Sequence, residues 1–171
     1  MSGGRKRWWL PLGGAFLVAA TAWGQALRDL PPIMRTVSDE VGALTDDEGK
    51  VLSSALQHIL DEDGIRVVLV IAETTRPEPI KDYADRLSRR WAQDRGIDPA
   101  RAIFMVVSVN DREMMVLPGR NLGLEVALAD PALGQGLPPL FRERRYYDAL
   151  MTLTNRVHHL IHGEPPIDSP R

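Results

Sequence analysis

The hydrophobic and polar positions of this chain follow two different periods, and each period predicts a different kind of element. Residues 65–73 and 102–109 are nearly continuous apolar runs, IRVVLVIAE and AIFMVVSV. Runs with so little alternation are typical of strands that are covered on both faces. A third run, REMMVLP at 112–118, follows the second after two polar residues, Asn110 and Asp111. A two-residue polar link between apolar runs predicts a hairpin.

Apolar residues at helical spacing mark three further segments. Thr45 and Glu48 form a Thr-x-x-Glu capping box ahead of an apolar stripe that ends at Gly64, which predicts a helix between them. A second stripe with charges on its opposite side covers about residues 79–95. A third helical stretch is predicted over roughly 137–163, where a glycine and two prolines close it.

The order of these elements predicts an α/β fold. A strand, a helix and a second strand follow one another between residues 65 and 109, and a crossover of this kind makes its two strands parallel. The hairpin adds an antiparallel strand, and residues 37–39 (VSD) read as a short edge strand. We therefore expect a mixed sheet with the 65–73 strand near its centre.

The composition suits one globular domain of ordinary size. The chain has 171 residues, of which 44% are hydrophobic and 26% are charged, enough for a single buried core. Cysteine is absent, which excludes disulfides, thiolate metal sites and cysteine nucleophiles. The sequence contains no Walker loop, dinucleotide fingerprint, Gly-x-Ser-x-Gly or His-Glu-x-x-His motif, which argues against the enzyme classes that use them.

Residues 1–26 have the layout of a secretory signal peptide. Arg5, Lys6 and Arg7 precede a short apolar run, LPLGGAFLVAATAW, with small residues at its end. The alternative is an uncleaved anchor, although the run is short for a span of about 20 residues. No second such run follows, so we expect a soluble domain outside the cytoplasm. Cleavage after Gly24 would take the formal charge from −2 to −5, which disfavours nucleic acid as a partner.

Four acidic residues near predicted element ends are candidate metal ligands: Asp39, Asp111, Glu125 and Asp130. Hard divalent cations such as Ca²⁺ and Mg²⁺ need several oxygen ligands, and loops at strand ends can bring them together. Each residue also has a structural interpretation. Asp111 is a favoured turn former, Asp130 precedes Pro131 as a helix cap would, and Asp39 can hold its own backbone.

A second candidate lies on the last predicted helix. His158 and His162 are four residues apart, a spacing that can hold a metal, and His159 lies beside them. Histidines in the last turn of a helix also complement its exposed carbonyls and its dipole. We favour this second interpretation from the sequence.

The order of five segments resembles the TPM domain, a family shared by bacterial envelope proteins and a thylakoid-lumen protein involved in photosystem II maintenance. The resemblance covers residues 30–163 and leaves 164–171 as an expected flexible tail. It implies a three-layer α/β/α sandwich around a small mixed β-sheet. The segments are SDEVGALTDDE, IRVVLVIAE, IKDYADRLSRRWAQDRG, AIFMVVSVNDREMMVLPGRNLGLEVALAD and LPPLFRERRYYDALMTLTNRV.

The resemblance also implies where function would lie. Calcium or magnesium binding and a weak phosphatase or nucleotide-hydrolysing activity have been ascribed to some members, and the acidic loops are where both are expected. The family usually carries Asp-Asn-Gly where this chain has Asp98 followed by PAR at 99–101. That change removes an oxygen ligand and introduces a cation. The family motifs match at Val37–Thr45, Tyr83-Ala84, Trp91 and Asp111-Arg112, and in part at Gly119, Gly123-Leu124-Glu125 and Asp130.

From these features we expect an exported accessory domain in the periplasm or on the outer face of the cytoplasmic membrane. Its partner would be an envelope or membrane-complex protein. The domain itself would contact the membrane only if its N-terminal segment stays uncleaved, and the protein would then be a membrane-tethered scaffold. The alternative is a divalent-metal-dependent phosphatase or nucleotide phosphohydrolase. In that case Asp39, Asp111, Glu125 and Asp130 would hold Ca²⁺ or Mg²⁺ against a phosphate oxygen, and a carboxylate would activate water.

Overall fold

A computed structural model describes residues 26–31, 35–96 and 98–163. The predicted signal peptide or anchor up to residue 25 and the predicted tail at 164–171 lie outside the described residues. Within these ranges, two 3₁₀ turns, at Pro99–Arg101 and Pro131–Gly134, accompany nine strands and α-helices. The elements are β1 (Val37–Asp39), α1 (Asp46–Asp63), β2 (Arg66–Ala72), α2 (Ile80–Arg95), β3 (Ala102–Ser108), β4 (Glu113–Pro118), α3 (Glu125–Leu128), α4 (Leu137–Arg142) and α5 (Tyr146–Ile161).

The four strands form one mixed sheet in the order β1-β2-β3-β4. The first three strands are parallel and β4 is antiparallel to β3. This confirms the predicted topology, including the internal position of β2. Because β1, β2 and β3 run in the same direction, their carboxyl ends meet at one edge of the sheet, called the carboxyl edge below.

The two faces of the sheet carry different helices. Since neighbouring residues of a strand point to opposite faces, Met105 and Val107 join a core with α1 and α5, whereas Phe104 and Val106 join a core with α2. Both cores are apolar and almost fully buried. The fold is therefore the three-layer α/β/α sandwich expected from the sequence.

Local sequence signals fix several element ends. The hydroxyl of Thr45 accepts from the backbone of Glu48, and the Glu48 carboxylate accepts from the backbone of Thr45, which completes the predicted capping box. Gly64 and Gly96 close α1 and α2 in the left-handed conformation. Among the described residues, no helix has both the length and the apolarity needed to cross a membrane.

The predicted two-residue hairpin link is wrong, because β3 and β4 are joined by four residues. Ser108 pairs with Glu113, so residues 109–112 form the turn. The backbone N–H groups of Val109 and Asn110 donate to the carbonyls of Ala72, the last residue of β2, and Glu73, at 3.0 and 2.8 Å. Bonding to β2 keeps these two residues out of the hairpin ladder, and the turn closes with Arg112 at a positive φ of 57°.

The predicted single helix over 137–163 is also interrupted. The helix α4 ends at a turn in which Arg144, at φ 60°, adopts the left-handed conformation. The backbone N–H groups of Arg144 and Arg145 donate to the carbonyls of Phe141 and Leu140 at 3.2 and 2.9 Å. This pattern is a Schellman motif formed without glycine. It ends α4 and lets α5 begin in a new direction.

Candidate functional site

The carboxyl edge of the sheet collects polar residues from three loops. Asp39 ends β1, residues 73–75 follow β2, and residues 108–111 surround the end of β3. Because β1 and β3 flank β2, Asp39 at the end of β1 and Asp111 in the turn after β3 come from strands separated by roughly 10 Å. This edge is the place where an open α/β sheet usually binds its ligands.

Asp111 is the most strongly bound acid of the carboxyl edge. Its side chain is 6% exposed, and its Oδ2 accepts hydrogen bonds from the Ser108 hydroxyl at 2.6 Å, the Thr74 hydroxyl at 2.8 Å and the Thr75 backbone at 2.9 Å. Arg76 Nε donates to the other oxygen at 3.0 Å. The carboxylate thus ties the loop after β2 to the β3–β4 turn.

The protonation of Asp111 follows from these contacts. Burial by itself would raise the pKa of the carboxyl, but the hydrogen bonds from Ser108, Thr75 and Thr74 and the charge of Arg76 outweigh it and lower the pKa to about 2. Oδ2 already accepts three hydrogen bonds, whereas Oδ1 accepts one, from the exposed Arg76. A metal ion would therefore have to bind Asp111 through Oδ1, beside or in place of the Arg76 guanidinium.

Asp39 holds its own loop, as its structural interpretation expects. Its Oδ1 accepts from the backbone of Val41 at 3.1 Å and its Oδ2 accepts from the backbone of Leu44 at 2.9 Å. Both contacts shape the segment between β1 and α1. Asp39 and Asp111 therefore share the carboxyl edge, and each one fixes a different loop.

Two glutamates at the same edge were missed by the sequence analysis. Arg28 contacts both of them, with NH2 at 3.7 Å from the Glu40 carboxylate and at 3.4 Å from the Glu73 carboxylate. Burial raises the pKa of Glu40, Arg28 lowers it and Glu73 raises it further, so the net direction is upward. Glu40 directly follows β1 and Glu73 directly follows β2. An acid at the end of the predicted 65–73 strand and one directly after the predicted 37–39 strand were the sequence signals that could have found both.

A buried ion pair supports this edge from the side of α2. The Arg86 Nε donates to both Glu78 oxygens at 3.2 and 3.1 Å, and its NH2 donates to one of them at 2.7 Å. The same guanidinium reaches the backbone carbonyl of Arg28 at 2.9 Å. The pair therefore anchors the segment that precedes β1 against α2.

Glu125 and Asp130 lie elsewhere, beside β4. Glu125 begins α3, and Asp130 caps the second 3₁₀ turn by accepting from the backbone of Ala132 at 2.8 Å. Both acids line a hollow of about 350 Å³ whose floor includes Met114 and Val116 of β4. The cap role predicted for Asp130 is confirmed. The structure brings these two acids together around the hollow.

The four predicted acids thus fall into two pairs. Among the described residues, one group of acidic and histidine side chains brings three ligand atoms within 4.8 Å of one another. It consists of Glu62, His158 and His162. None of the four predicted acids belongs to that group. Binding of Ca²⁺ or Mg²⁺ by them remains a prediction, and it would require their side chains to rearrange.

The segment that departs from the family pattern lies at the opposite edge of the sheet. Asp98 caps the first 3₁₀ turn by accepting from the backbone of Ala100 at 2.9 Å, and this turn leads into the amino end of β3. The length of β3 separates it from Asp111 by about 20 Å. The change at 98–101 is therefore remote from the carboxyl edge.

The sequence of residues 37–160 matches the TPM domain family. This range contains all four strands and almost all of the helical structure described above. No curated protein matches the chain.

Solved structures of similar shape come from several bacteria. The N-terminal domain of a P. gingivalis protein superposes with a TM-score of 0.63 at 22% identity, covering 80% of this chain and 88% of that one. The N-terminal domain of a Corynebacterium glutamicum protein gives 0.55 at 9% identity, covering 85% and 90%. The BA42 protein of Bizionia argentinensis gives 0.57 at 14% identity, covering 74% and 86%. At these identities the likeness concerns the fold.

Proposed function

Because the chain belongs to the TPM domain family, we propose that it is an exported accessory domain of the bacterial cell envelope that binds a protein partner. The partner would be a component of an envelope or membrane complex. The observation that carries this proposal is an apolar hollow between α3 and β4. β4 is the outermost strand of the sheet and pairs with β3 alone.

The hollow has the composition of a protein-binding surface. Its lining is mainly apolar and includes two adaptable methionines, and β4 beneath it is the last strand in the sheet order. Edge strands offer backbone groups to an added strand, while side-chain pockets next to them give specificity. Val126 of α3 follows Glu125 of the lining and is 88% exposed, so it is an accessible position next to this surface.

The charges around the hollow indicate what the partner presents. Glu125 and Asp130 lie at the hollow, and the processed chain would carry a formal charge of −5. A partner segment with an apolar anchor flanked by lysine or arginine would match both the lining and the charge. Such complementarity speeds association and selects against acidic partners.

Two acids at the carboxyl edge, Asp39 and Asp111, favour binding over hydrolysis. A general base works best with a pKa near the working pH, whereas the pKa of Asp111 lies at about 2. Both oxygens of Asp39 accept backbone hydrogen bonds. These two carboxylates therefore serve the loops that they hold, which supports an accessory role over the phosphatase alternative.

The partner is tested by site-specific photocrosslinking in the native host. A photoreactive amino acid replaces Val126, and a matched chain carries it at Arg89, which is exposed on α2 in the opposite layer. We expect a discrete protein adduct from position 126 and not from position 89. Equal adducts from both positions, or none from position 126 in a folded protein, would count against the proposal.

Export and the enzymatic alternative are tested separately. Mass spectrometry of the protein recovered from the host gives its N-terminus, and a chain that begins at Gln25 or Leu27 would rule out the tethered scaffold. A titration with Ca²⁺ and Mg²⁺, followed by amide NMR shifts, tests the four acids as ligands. Phosphate-ester hydrolysis that depends on these ions and is lost in Asp39→Asn would favour the phosphatase instead.

A further inference from the structure

The carboxyl ends of α1 and α5 bring two histidines and two acids together. Glu62 and Asp63 occupy the last turn of α1, and His158 and His162 lie one turn apart at the end of α5. The two histidine Nε2 atoms are 3.1 Å apart. His158 Nε2 lies 3.6 Å from both carboxylates, and His162 Nε2 lies 3.5 Å from the Asp63 carboxylate.

These separations match the edges of a tetrahedral metal site. In a Zn²⁺ site with ligand bonds of 2.0–2.2 Å, neighbouring ligand atoms lie roughly 3.3–3.5 Å apart. The four separations, 3.1, 3.6, 3.6 and 3.5 Å, scatter around that value. Glu62, His158 and His162 offer ligand atoms that all lie within 4.8 Å of one another, so small side-chain adjustments would place one ion among these three. Asp63 lies beside them, with a different oxygen near each histidine, and would turn one oxygen towards the ion as the fourth ligand.

Asp63 gives an independent reason to expect a cation. Its side chain is 12% exposed, and its buried Oδ2 accepts no hydrogen bond. A buried carboxylate oxygen without a donor is costly unless a positive charge lies beside it. The last turn of α1 contains no basic residue, and the His158 Nε2 lies 3.6 Å from this oxygen.

The surroundings strengthen the attraction for a positive ion. Both helices direct their carboxyl ends, which carry partial negative charge, towards the cluster. His58 contacts the Glu62 carboxylate at 3.2 Å and its ring lies 6.0 Å from that of His158. A partner behind a ligand usually orients it, so His58 would hold Glu62 in place.

We propose that Glu62, Asp63, His158 and His162 form a binding site for one Zn²⁺ or similar transition-metal ion. Imidazole ligands favour such ions over Ca²⁺ and Mg²⁺, which prefer all-oxygen sites. The bound ion links the last turns of α1 and α5 and stabilises the layer that they form. The site is independent of the partner surface beside β4.

The test uses the protein as the host produces it, purified without a polyhistidine tag and stripped of metal with a chelator. Calorimetry with Zn²⁺ gives the stoichiometry and affinity, and the visible absorption of added Co²⁺ reports tetrahedral coordination. Two variants remove ligands, His162→Gln and Asp63→Asn. A matched variant, Asp61→Asn, makes the same chemical change on the neighbouring exposed residue.

We expect one Zn²⁺ per chain, a tetrahedral Co²⁺ spectrum and a higher melting temperature with zinc. Removing an outer partner of a metal ligand usually weakens affinity by about 10–100-fold, so loss of His162 or Asp63 should weaken it by at least that much, with Asp61→Asn unchanged. Circular dichroism confirms that each variant is folded. Absence of saturable binding, or equal affinity in all three variants, would overturn the proposal.

Discussion

The carboxylate of Asp111 permits a quantitative test of how the loops at the carboxyl edge are held. Asp111→Asn keeps the shape of the side chain and removes its charge. An amide has one acceptor oxygen, so its NH₂ group must face either Arg76 or the three donors on the other side, Ser108, Thr74 and Thr75. In both orientations a donor faces another donor, which is unfavourable in a buried site.

The magnitude follows from the titration of Asp111. A pKa lowered from 3.8 to about 2 corresponds to about 2 kcal/mol of stabilisation of the folded state at neutral pH. The carboxylate is 6% exposed, so solvent screens these contacts little. We therefore expect Asp111→Asn to lower the free energy of unfolding by about 2 kcal/mol at pH 7.

The pH dependence has a defined direction. Since the pKa of Asp111 is lower in the folded state, its stabilisation is fully present above about pH 4 and is lost as the pH falls towards 2. The difference in unfolding free energy between the original protein and Asp111→Asn should therefore shrink over that window. The variant lacks the group that titrates, so its own stability should depend less on pH there.

Urea unfolding followed by circular dichroism at a series of pH values measures both effects. Asp61→Asn, at an exposed position on α1, serves as the control and should change stability by less than about 0.5 kcal/mol. If Asp111→Asn were as stable as this control at pH 7, the four hydrogen bonds would not hold the carboxylate as argued. A difference that stays constant down to pH 2 would refute the assigned pKa.

Two further predictions concern packing and a buried charge. In Gly119→Ala the new Cβ would lie 2.4 Å from the backbone carbonyl carbon of Ala100, so we expect the free energy of unfolding to fall by about 3 kcal/mol. In Gly49→Ala, on α1, the new Cβ meets no atom within 4 Å, so the free energy of unfolding should rise by about 0.5–1 kcal/mol. Equal urea midpoints for the two alanine variants would contradict this. Arg86→Gln leaves the Glu78 carboxylate, 8% exposed, without its ion partner and should cost about 2–3 kcal/mol in urea unfolding; a neutral effect would show that water replaces the arginine.

The sheet and most helix boundaries could be predicted because their causes are local. The apolar runs at 65–73 and 102–109 and the capping box at Thr45 act through residues close in sequence. The β3–β4 turn was misjudged because Val109 and Asn110 donate to carbonyls at the end of β2, and these lie more than thirty residues earlier in the chain. Periodicity within one segment carries no information about such a competing partner.

For the candidate acids too, the sequence showed which residues are polar but not which distant segments contact them. Asp111 stands out in the sequence as a polar residue in a turn, but its donors at 74–76 belong to a distant loop, and they decide whether its oxygens are available. Glu125 and Asp130 read as part of the same loop system, yet they line a hollow whose floor is the Met114 and Val116 face of β4, which packs on the α1 and α5 side of the sheet.

The histidine cluster follows from the phase of two packed helices. Ile59 on α1 and Val157 on α5 are buried in one core, and Glu62 and Asp63 follow Ile59 by three and four residues, which places them one turn further along the packed side of α1. His158 follows Thr154, another buried residue of α5, by four residues. The apolar stripes that join α1 and α5 thus end in ligand-type side chains at the same level. Ile59→Ala, which loosens this packing without touching a ligand, should therefore weaken the proposed zinc binding, whereas a site made by α5 alone would keep its affinity.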